Sequence, residues 1–186
     1  MSVDADEVLS TELRGFIEAF CTKNAPKKRA SYEPYKSVEG FLIKRRLVFL
    51  GRKLRFGKTV DYPLRFFKKG SGSFNGAIHE HFDLARSRPC KLPLGELLHY
   101  SYEDLSDYFN RFNLYTSRIA QNHIKTGRKM PWRPFHILRP WTEFLVRYFF
   151  RLGFLDGYPG YCYAVVSCFY TFIKYAKLLE LSQKEK

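Results

Sequence analysis

The hydrophobic pattern of this 186-residue chain changes once along its length, and this change limits what the chain can fold into. Up to about residue 100, short apolar stretches alternate with Gly-rich turns, which predicts strands in Tyr32–Leu50, Leu64–Phe67 and Lys91–Tyr100. From Leu105 to Ile119, apolar residues recur at steps of three and four, and this spacing predicts a long helix. We therefore expect an α/β fold with a mixed sheet, followed by a helical C-terminal extension.

Local signals also predict where several elements begin and end. The segment Met1–Val3 is typical of the end of a strand that runs into an acidic turn. A helix is predicted over Thr11–Cys21, with Ser10 or Thr11 as its cap, because serine and threonine side chains accept hydrogen bonds from the first backbone amides of a helix. By the same argument, Ser101 is predicted to cap the long helix that follows it.

The predicted domain division places a first domain at 1–125 and an aromatic helical extension at 126–186. In the extension, Gly160–Ile173 is uncharged for 14 residues, whereas a spanning helix needs about 20 apolar residues. We expect a pair of helices that lie in the membrane interface, with Trp132 and Trp141 at the level of the headgroups. A buried hairpin that closes the core is the alternative.

Positive charge dominates the chain and is concentrated in one stretch. The formal net charge is +14, and Thr22–Gly70 contains fifteen Lys or Arg residues against three acidic residues. Such a field attracts polyanions, which include nucleic acid, anionic lipid and phosphorylated substrates. An ordinary solvated basic face is the alternative.

Cysteine usage indicates neither a zinc site nor a disulfide framework. No pair has the Cys-x-x-Cys spacing, and the acidic start of the chain is unlike a targeting peptide. We therefore expect a reduced cytosolic compartment. The four cysteines are Cys21, Cys90, Cys162 and Cys168.

Two short clusters carry candidate chemistry. Asp4 and Asp6 flank one residue, and such a pair of carboxylates suits a hard divalent cation, although it also suits a helix N-terminus. In the sequence Ile78–Phe82, two histidines flank a glutamate, and this cluster could hold a metal or act as acid and base, with a surface-exposed polar strand end as the alternative. In a strand, His79 and His81 would share one face and Glu80 the other, which argues against one metal site made of all three.

A single histidine is the third candidate. His99 ends an apolar strand and precedes a predicted helix start. Strand ends are where α/β enzymes hold their ligands. The alternative is a structural histidine that is hydrogen-bonded to the start of the helix.

Seven segments in a fixed order resemble the family 2 glycosyltransferases of the lipopolysaccharide-core β-1,4-glucosyltransferase type. They span nearly the whole chain, and each one alone is weak. The resemblance implies a GT-A fold, a nucleotide-sugar donor, a lipid-linked glycan acceptor and inversion at the anomeric carbon. The segments are Ser2–Glu7 with Glu12–Leu13, Gly40–Phe41 through Phe49–Arg52, Pro63–Phe67, His79–Glu80, His99–Tyr102, Asn113–Ser117 and Gly153–Gly157.

The resemblance also implies roles for individual residues. Asp4 and Asp6 match the acidic motif that meets the donor diphosphate through Mg²⁺ or Mn²⁺. Glu80 is the implied general base, His99 a further metal ligand, and Arg65 a contact of the diphosphate. No nucleophilic serine or cysteine is required, because a base near the acceptor hydroxyl and positive charge on the leaving diphosphate suffice for direct displacement.

The position of the acidic motif departs from the family pattern. In a GT-A domain the nucleotide-binding βαβ units precede this motif, whereas here Met1 stands three residues before Asp4. We therefore expect the uridine-binding half to be absent from this chain and the chain alone to be inactive. We also expect it to lie peripherally on the inner face of the cytoplasmic membrane.

Two other readings of the sequence remain open. A basic RNA-binding module would use the charge and the aromatic residues for phosphate contacts and base stacking. No nucleic-acid partner is expected, however, because the aromatic residues cluster away from the basic stretch and no RNA-binding motif is recognisable. A non-catalytic protein that binds a membrane surface is the second reading.

Overall fold

The computed structural model describes residues 1–21, 35, 37–75, 81–127 and 133–184. They belong to two compact units, and each unit is discontinuous in sequence. The first, here called the sheet unit, comprises Met1–Val48 and Val60–Ser101, and the second, the helical unit, comprises Phe49–Thr59 and Tyr102–Lys186. The expected class is confirmed, because strands in mixed sheets are followed by a helical C-terminal region. The division at residue 125 stays a prediction.

The elements that the described residues form are short strands and longer helices. The helices are α1 (Thr11–Cys21), α2 (Leu105–Lys125), α3 (Arg133–Leu145) and α4 (Gly157–Lys184). The strands are β1 (Glu7–Leu9), β2 (Gly40–Leu42), β3 (Arg45–Phe49), β4 (Arg52–Lys53), β5 (Val60–Asp61), β6 (Leu64–Phe67), β7 (Gly72–Asn75), β8 (His81–Leu84), β9 (Cys90–Lys91) and β10 (Leu97–His99).

The sheet unit contains two mixed sheets and a hairpin. In the first sheet, β10 lies between β1, to which it is antiparallel, and β3, to which it is parallel, and β5 pairs antiparallel with β3. In the second, β2 lies between the antiparallel β6 and the parallel β9. The strands β7 and β8 form an antiparallel hairpin. Parallel and antiparallel neighbours in one sheet confirm the mixed sheet that the sequence predicts.

Helix α1 packs on these strands through the apolar face that its periodicity predicts. Leu13 and Phe16 are buried, and the Ser10 hydroxyl accepts a hydrogen bond from the Leu13 amide at 3.3 Å. The serine therefore caps the helix as predicted, and the bounds of α1 agree with the sequence. The other buried residues of the cluster that contains these two side chains are Phe41, Ile43, Leu92 and Leu97.

Two predicted element starts are wrong. The first strand is Glu7–Leu9 rather than a strand ending at Val3, because its backbone pairs with β10. Helix α2 begins at Leu105 with Asp104 as its cap, since the Asp104 carboxylate accepts from the Asp107 amide at 2.7 Å. The Ser101 hydroxyl lies 2.8 Å from Nδ1 of the histidine two residues before it and does not cap the helix.

The helical unit is built around α4, which packs against α2 and α3. The ring of Phe112 stacks on Phe169 with centroids 5.6 Å apart, and the Lys177 ammonium donates to the Asn113 side chain at 2.6 Å. Helix α3 continues into a π-helical turn at Val146–Phe150. None of the helices in the described ranges combines the length and apolar character needed to cross a bilayer.

A carboxylate just before the start of α4 helps to hold the segment Phe49–Thr59. After the π-helical turn, the 3₁₀ turn Gly153–Asp156 leads into α4. The Asp156 carboxylate accepts hydrogen bonds from the backbone amides of Arg55 and Phe56, which lie about 100 residues earlier, at 2.8–3.0 Å.

Replacement of Gly95 by alanine is expected to destabilise the sheet unit by several kcal/mol. Its φ of +72° disfavours any side chain, and an added Cβ would lie 2.5 Å from the Leu13 backbone nitrogen. Gly70→Ala is the matched control, because its φ is +82° but nothing lies within 4 Å of the added Cβ. The control measures the conformational cost alone, about 1–2 kcal/mol. Urea unfolding midpoints that are lowered equally would contradict the packing of this glycine on α1.

Candidate functional site

The acidic motif forms a turn that is fixed to the edge of the first sheet. The Glu7 amide donates to the Asp4 carbonyl at 3.0 Å and closes the turn. The Tyr100 amide donates to the Asp6 carbonyl at 2.8 Å, which extends the pairing of β1 with β10. Both carboxylates of the motif are therefore presented beside the end of β10, where His99 lies.

Glu7 is the buried anchor of this turn. Its carboxylate is fully buried and accepts from Arg45 Nη1 at 2.9 Å and from Arg65 Nη2 at 2.7 Å. Burying an isolated carboxylate costs several kcal/mol. Removing one partner of a buried ion pair destabilises a protein by more than the intact pair stabilises it, because an uncompensated charge is left buried. The two guanidinium groups offset the cost of burying the Glu7 carboxylate, and Glu7 is therefore held where both arginines reach it.

Arg45 joins the buried carboxylate to an exposed one. Its Nε and Nη2 donate to the two oxygens of Asp61 at 2.9 and 2.5 Å, a bidentate arrangement. The hydrogen bond to Asp61, and after it the hydrogen bond to Glu7, raise the pKa of Arg45 above its ordinary value although burial opposes this. Both oxygens of the Asp61 carboxylate are therefore engaged by one arginine.

Arg65 connects the buried anchor to the first aspartate of the motif. One amino group, Nη2, contacts both the Asp4 carboxylate and the Glu7 carboxylate. The Ser2 amide also donates to the Arg65 carbonyl at 2.8 Å. The Nε of Arg65 is buried and has no hydrogen-bond partner within the ranges that the structure describes. Arg65 thus holds the Asp4 carboxylate in place, while its own Nε makes no hydrogen bond to the described residues.

The second aspartate of the motif lies next to the predicted histidine. Asp6 Oδ2 is 3.3 Å from His99 Nε2, and the Ser101 hydroxyl contacts the same ring. Both side chains are partly exposed. The strand register explains this pair, because Glu7 lies opposite His99 in the pairing of β1 with β10.

The charge and donor set of the cluster fit a divalent cation in part. Four carboxylates, those of Asp4, Asp6, Glu7 and Asp61, stand against two guanidiniums. Asp6 and His99 are adjacent and partly exposed, and Mg²⁺ and Mn²⁺ sites often use one or two protein carboxylates completed by phosphate and water. No group of three His, Cys, Asp or Glu side chains in the described part of the chain is placed to hold a metal by itself.

The structure brings four of the five predicted site residues together. Asp4, Asp6, Arg65 and His99 lie in one cluster, although their predicted roles toward a metal and a diphosphate stay predictions. The predicted base, Glu80, lies outside the described residues. Sequence reasoning missed the buried anchor and its partners, which are Glu7, Arg45 and Asp61.

Comparison with known proteins finds relatives that carry a common name. The chain is 28% identical over 199 residues to an uncharacterized glycosyltransferase of Rickettsia typhi, and the match covers all of this chain and 63% of that protein. It is 27% identical over 195 residues to an uncharacterized glycosyltransferase of Rickettsia prowazekii, again over all of this chain and 63% of the relative. A third, from Rickettsia felis, is 25% identical over 198 residues and is covered to 65%.

These relatives are longer than the chain, which spans just under two thirds of their length. No family model matches the chain. No solved structure matches it either. The similarity to proteins named glycosyltransferase agrees with the class to which the sequence motifs point.

Removal of the buried charge is expected to unfold the cluster. Glu7→Gln should lower the free energy of unfolding by roughly 3–5 kcal/mol, because it leaves two arginines short of a buried partner. Asp61→Asn removes the same charge from Arg45, but that side chain is 56% exposed, so the loss should be below about 1 kcal/mol. Chemical unfolding followed by circular dichroism measures both. Similar losses for the two variants would refute the anchoring role of Glu7.

Proposed function

We propose that this chain takes part in glycosyl transfer from a nucleotide-diphosphate sugar to a glycan acceptor, as a family 2 glycosyltransferase of the inverting type. The observation that carries the proposal is the cluster around the acidic turn, in which Asp4 contacts Arg65 and Asp6 lies beside His99, in a chain similar to proteins named glycosyltransferase. The resemblance of its motifs to the lipopolysaccharide-core β-1,4-glucosyltransferase type supports a lipid-linked glycan as the acceptor.

In the proposed site, Asp6 and His99 would hold Mn²⁺ or Mg²⁺ together with the donor diphosphate. When bound, the cation supplies positive charge that stabilises the departing diphosphate. Arg65 holds Asp4 toward the same edge through its contact with that carboxylate. The excess of carboxylates over guanidiniums in the cluster favours a cation there.

Glu80 is the proposed general base. It accepts the proton of the acceptor hydroxyl while the hydroxyl oxygen forms a bond to the anomeric carbon. The bond from that carbon to the diphosphate oxygen breaks, and the configuration inverts. Glu80 is proposed rather than Asp61, because both oxygens of Asp61 already accept hydrogen bonds from Arg45.

Two substitutions are expected to separate donor binding from the chemical step. Asp6→Asn should weaken Mn²⁺ binding and UDP-hexose binding together, because it removes a charge from the cation site. Glu80→Gln should leave donor binding nearly unchanged and lower turnover roughly 10²–10⁴-fold, the usual share of a general base. Glu103→Gln, at an exposed position outside the cluster, is the control for the loss of one carboxylate.

Titration calorimetry measures binding, and radiolabelled nucleotide sugars with a membrane-extract acceptor measure transfer. The assay uses the chain alone and the chain joined at its N-terminus to a nucleotide-binding βαβ segment, since positioning of the donor contributes roughly 7–11 kcal/mol to such reactions. An unchanged metal affinity in the Asp6→Asn form would rule out a cation site that contains Asp6. Full transfer by the Glu80→Gln form would remove Glu80 as the base.

The membrane surface, at the cytoplasmic face of the inner membrane, is the proposed place of action. Around the π-helical turn and the start of α4, large apolar side chains stand exposed, with Phe150 78% and Tyr158 73% accessible. Beside them, Arg52, Lys53 and Arg55 line a cavity of about 420 Å³ together with Leu155. Exposed aromatic residues next to cations suit the interface of an anionic bilayer.

Loss of one exposed aromatic ring is expected to weaken vesicle binding. Phe150→Ser should lower the partition onto anionic phospholipid vesicles roughly ten-fold or more, because a fully buried phenyl ring contributes about 2 kcal/mol. Leu114→Ser is the control, since Leu114 is 46% exposed on α2. Cosedimentation at low and high salt measures the effect. An unchanged partition of the Phe150 variant would exclude this patch from the membrane contact.

A further inference from the structure

The helical unit contains a second polar cavity that has no part in the proposed donor site. It measures about 390 Å³ and is lined by residues from α2, α3, α4, the π-helical turn, the segment Phe49–Thr59 and Tyr102. Ligand pockets for small molecules are commonly about 300–1,000 Å³, so this volume holds one sugar residue with a substituent. Its lining combines tyrosines with cations, a composition that suits a particular class of ligand.

The cations of the cavity exceed its carboxylates. Among the described residues that line it, four are basic and one is acidic: Lys58, Arg139, Arg147 and Lys174 stand against Glu143. Two arginines share that carboxylate, since Glu143 accepts from Arg147 at 2.7 Å and lies 3.7 Å from Arg139. The cavity therefore has a net positive charge that its own side chains leave uncompensated.

The amine of Lys174 is part of this excess. Its Nζ lies 4.6 Å from the centroid of the Tyr175 ring, and no ion pair involves it within the part of the chain that the structure describes. Burial and then the neighbouring Arg139 lower the pKa of Lys174, while Glu143 opposes this shift. An anion in the cavity would relieve the repulsion between Lys174 and Arg139, so both side chains favour a bound negative charge.

The aromatic part of the lining consists of tyrosines, not of phenylalanines. The rings of Tyr102 and Tyr108 pack with centroids 4.7 Å apart, and Phe49 supports both from 5.9–6.5 Å. Burial raises the pKa of Tyr102 to about 12, and it raises the pKa of Tyr108 as well, so both phenols stay protonated donors at neutral pH. The other three tyrosines of the lining are Tyr115, Tyr163 and Tyr170.

Rings and hydroxyl donors together fit a carbohydrate. The apolar C–H face of a hexose packs on flat rings, while its hydroxyls exchange hydrogen bonds with phenols, with Ser167 and Thr171, and with the carboxylate of Glu143. Cations at the same cavity suit a phosphate on that sugar, because ammonium and guanidinium groups are the usual partners of phosphate oxygens.

We propose that this cavity binds a phosphorylated hexose, with the phosphate against Lys174 and Arg139 and the sugar ring against the tyrosines. The ligand is either a free sugar phosphate or the phosphorylated sugar of a glycolipid. Its assignment as the acceptor of the transfer reaction rests on the proposed function, whereas the binding itself does not.

Titration calorimetry of the full chain with a hexose 6-phosphate tests the proposal. Lys174→Met should weaken this affinity about ten-fold or more, the usual effect of losing one charge-assisted hydrogen bond. Lys184→Met is the matched control, because it makes the same substitution ten residues later on α4, where Lys184 is exposed and paired with Glu180. Arg139→Gln provides a second variant that leaves the core intact, because the Arg139 side chain is 44% exposed.

Two comparison ligands show whether the cavity recognises both the sugar and the phosphate. The unphosphorylated hexose and inorganic phosphate should each bind at least about ten-fold more weakly than the hexose phosphate. Inorganic phosphate that binds as tightly would overturn the sugar part of the proposal. Equal losses in the Lys174→Met and Lys184→Met forms, or no effect of either Lys174→Met or Arg139→Gln, would overturn the site.

Vesicles separate the two sources of the ligand. If the lipid-linked sugar is the ligand, the chain should bind phosphatidylcholine vesicles that contain a glycolipid whose hexose carries one phosphate. This binding should depend on Lys174, and it would support the site. Lys174-dependent binding of the soluble hexose phosphate alone supports the free form. If the sugar phosphate binds but the chain joined to the nucleotide-binding βαβ segment shows no metal-dependent binding of UDP-hexose, this site stands and the proposed function fails. If that joined form binds UDP-hexose with metal but the sugar phosphate does not bind, the proposed function stands and this site fails.

Discussion

The buried carboxylate of Glu7 holds the sheet unit and its acidic turn in one arrangement. Its two partners come from different sheets, since Arg45 lies on β3 and Arg65 lies on β6. A buried carboxylate with one partner missing is costly, so the two sheets and the turn are determined together. Asp4 and Asp6 stand on that same turn. The candidate site residues Asp4 and Asp6 are therefore positioned by the ion pairs of Glu7 with Arg45 and Arg65.

The sequence predicted best those elements whose signals are local. The bounds of α1 agree with the sequence because its cap, Ser10, and its buried face are read within one stretch of twelve residues. Strand β6 agrees at Leu64–Phe67 because a turn follows it directly. Four of the predicted site residues lie around the acidic turn, because that turn borders His99 at the end of β10 and contacts Arg65 on β6.

The failures concern partners that are distant in sequence. Glu7 contacts arginines 38 and 58 residues away, and nothing near it in the sequence predicts a buried charge. The first strand was placed too early because its position depends on β10, about 90 residues later. Ser101 and Asp104 both have side chains that cap helices, and the contact of Ser101 with His99 leaves the cap to Asp104.

The discontinuity of the two units has a consequence for synthesis on the ribosome. The chain crosses between the units three times, after Val48, Thr59 and Ser101. The segment Phe49–Thr59 leaves the ribosomal tunnel long before Asp156, whose carboxylate later accepts from its backbone amides. Domains that are contiguous in sequence fold as soon as they emerge. Here the eleven residues of this segment cannot complete their contacts until the last helices are translated. During that time their basic and apolar side chains are uncovered, and a chaperone or a membrane surface has access to them.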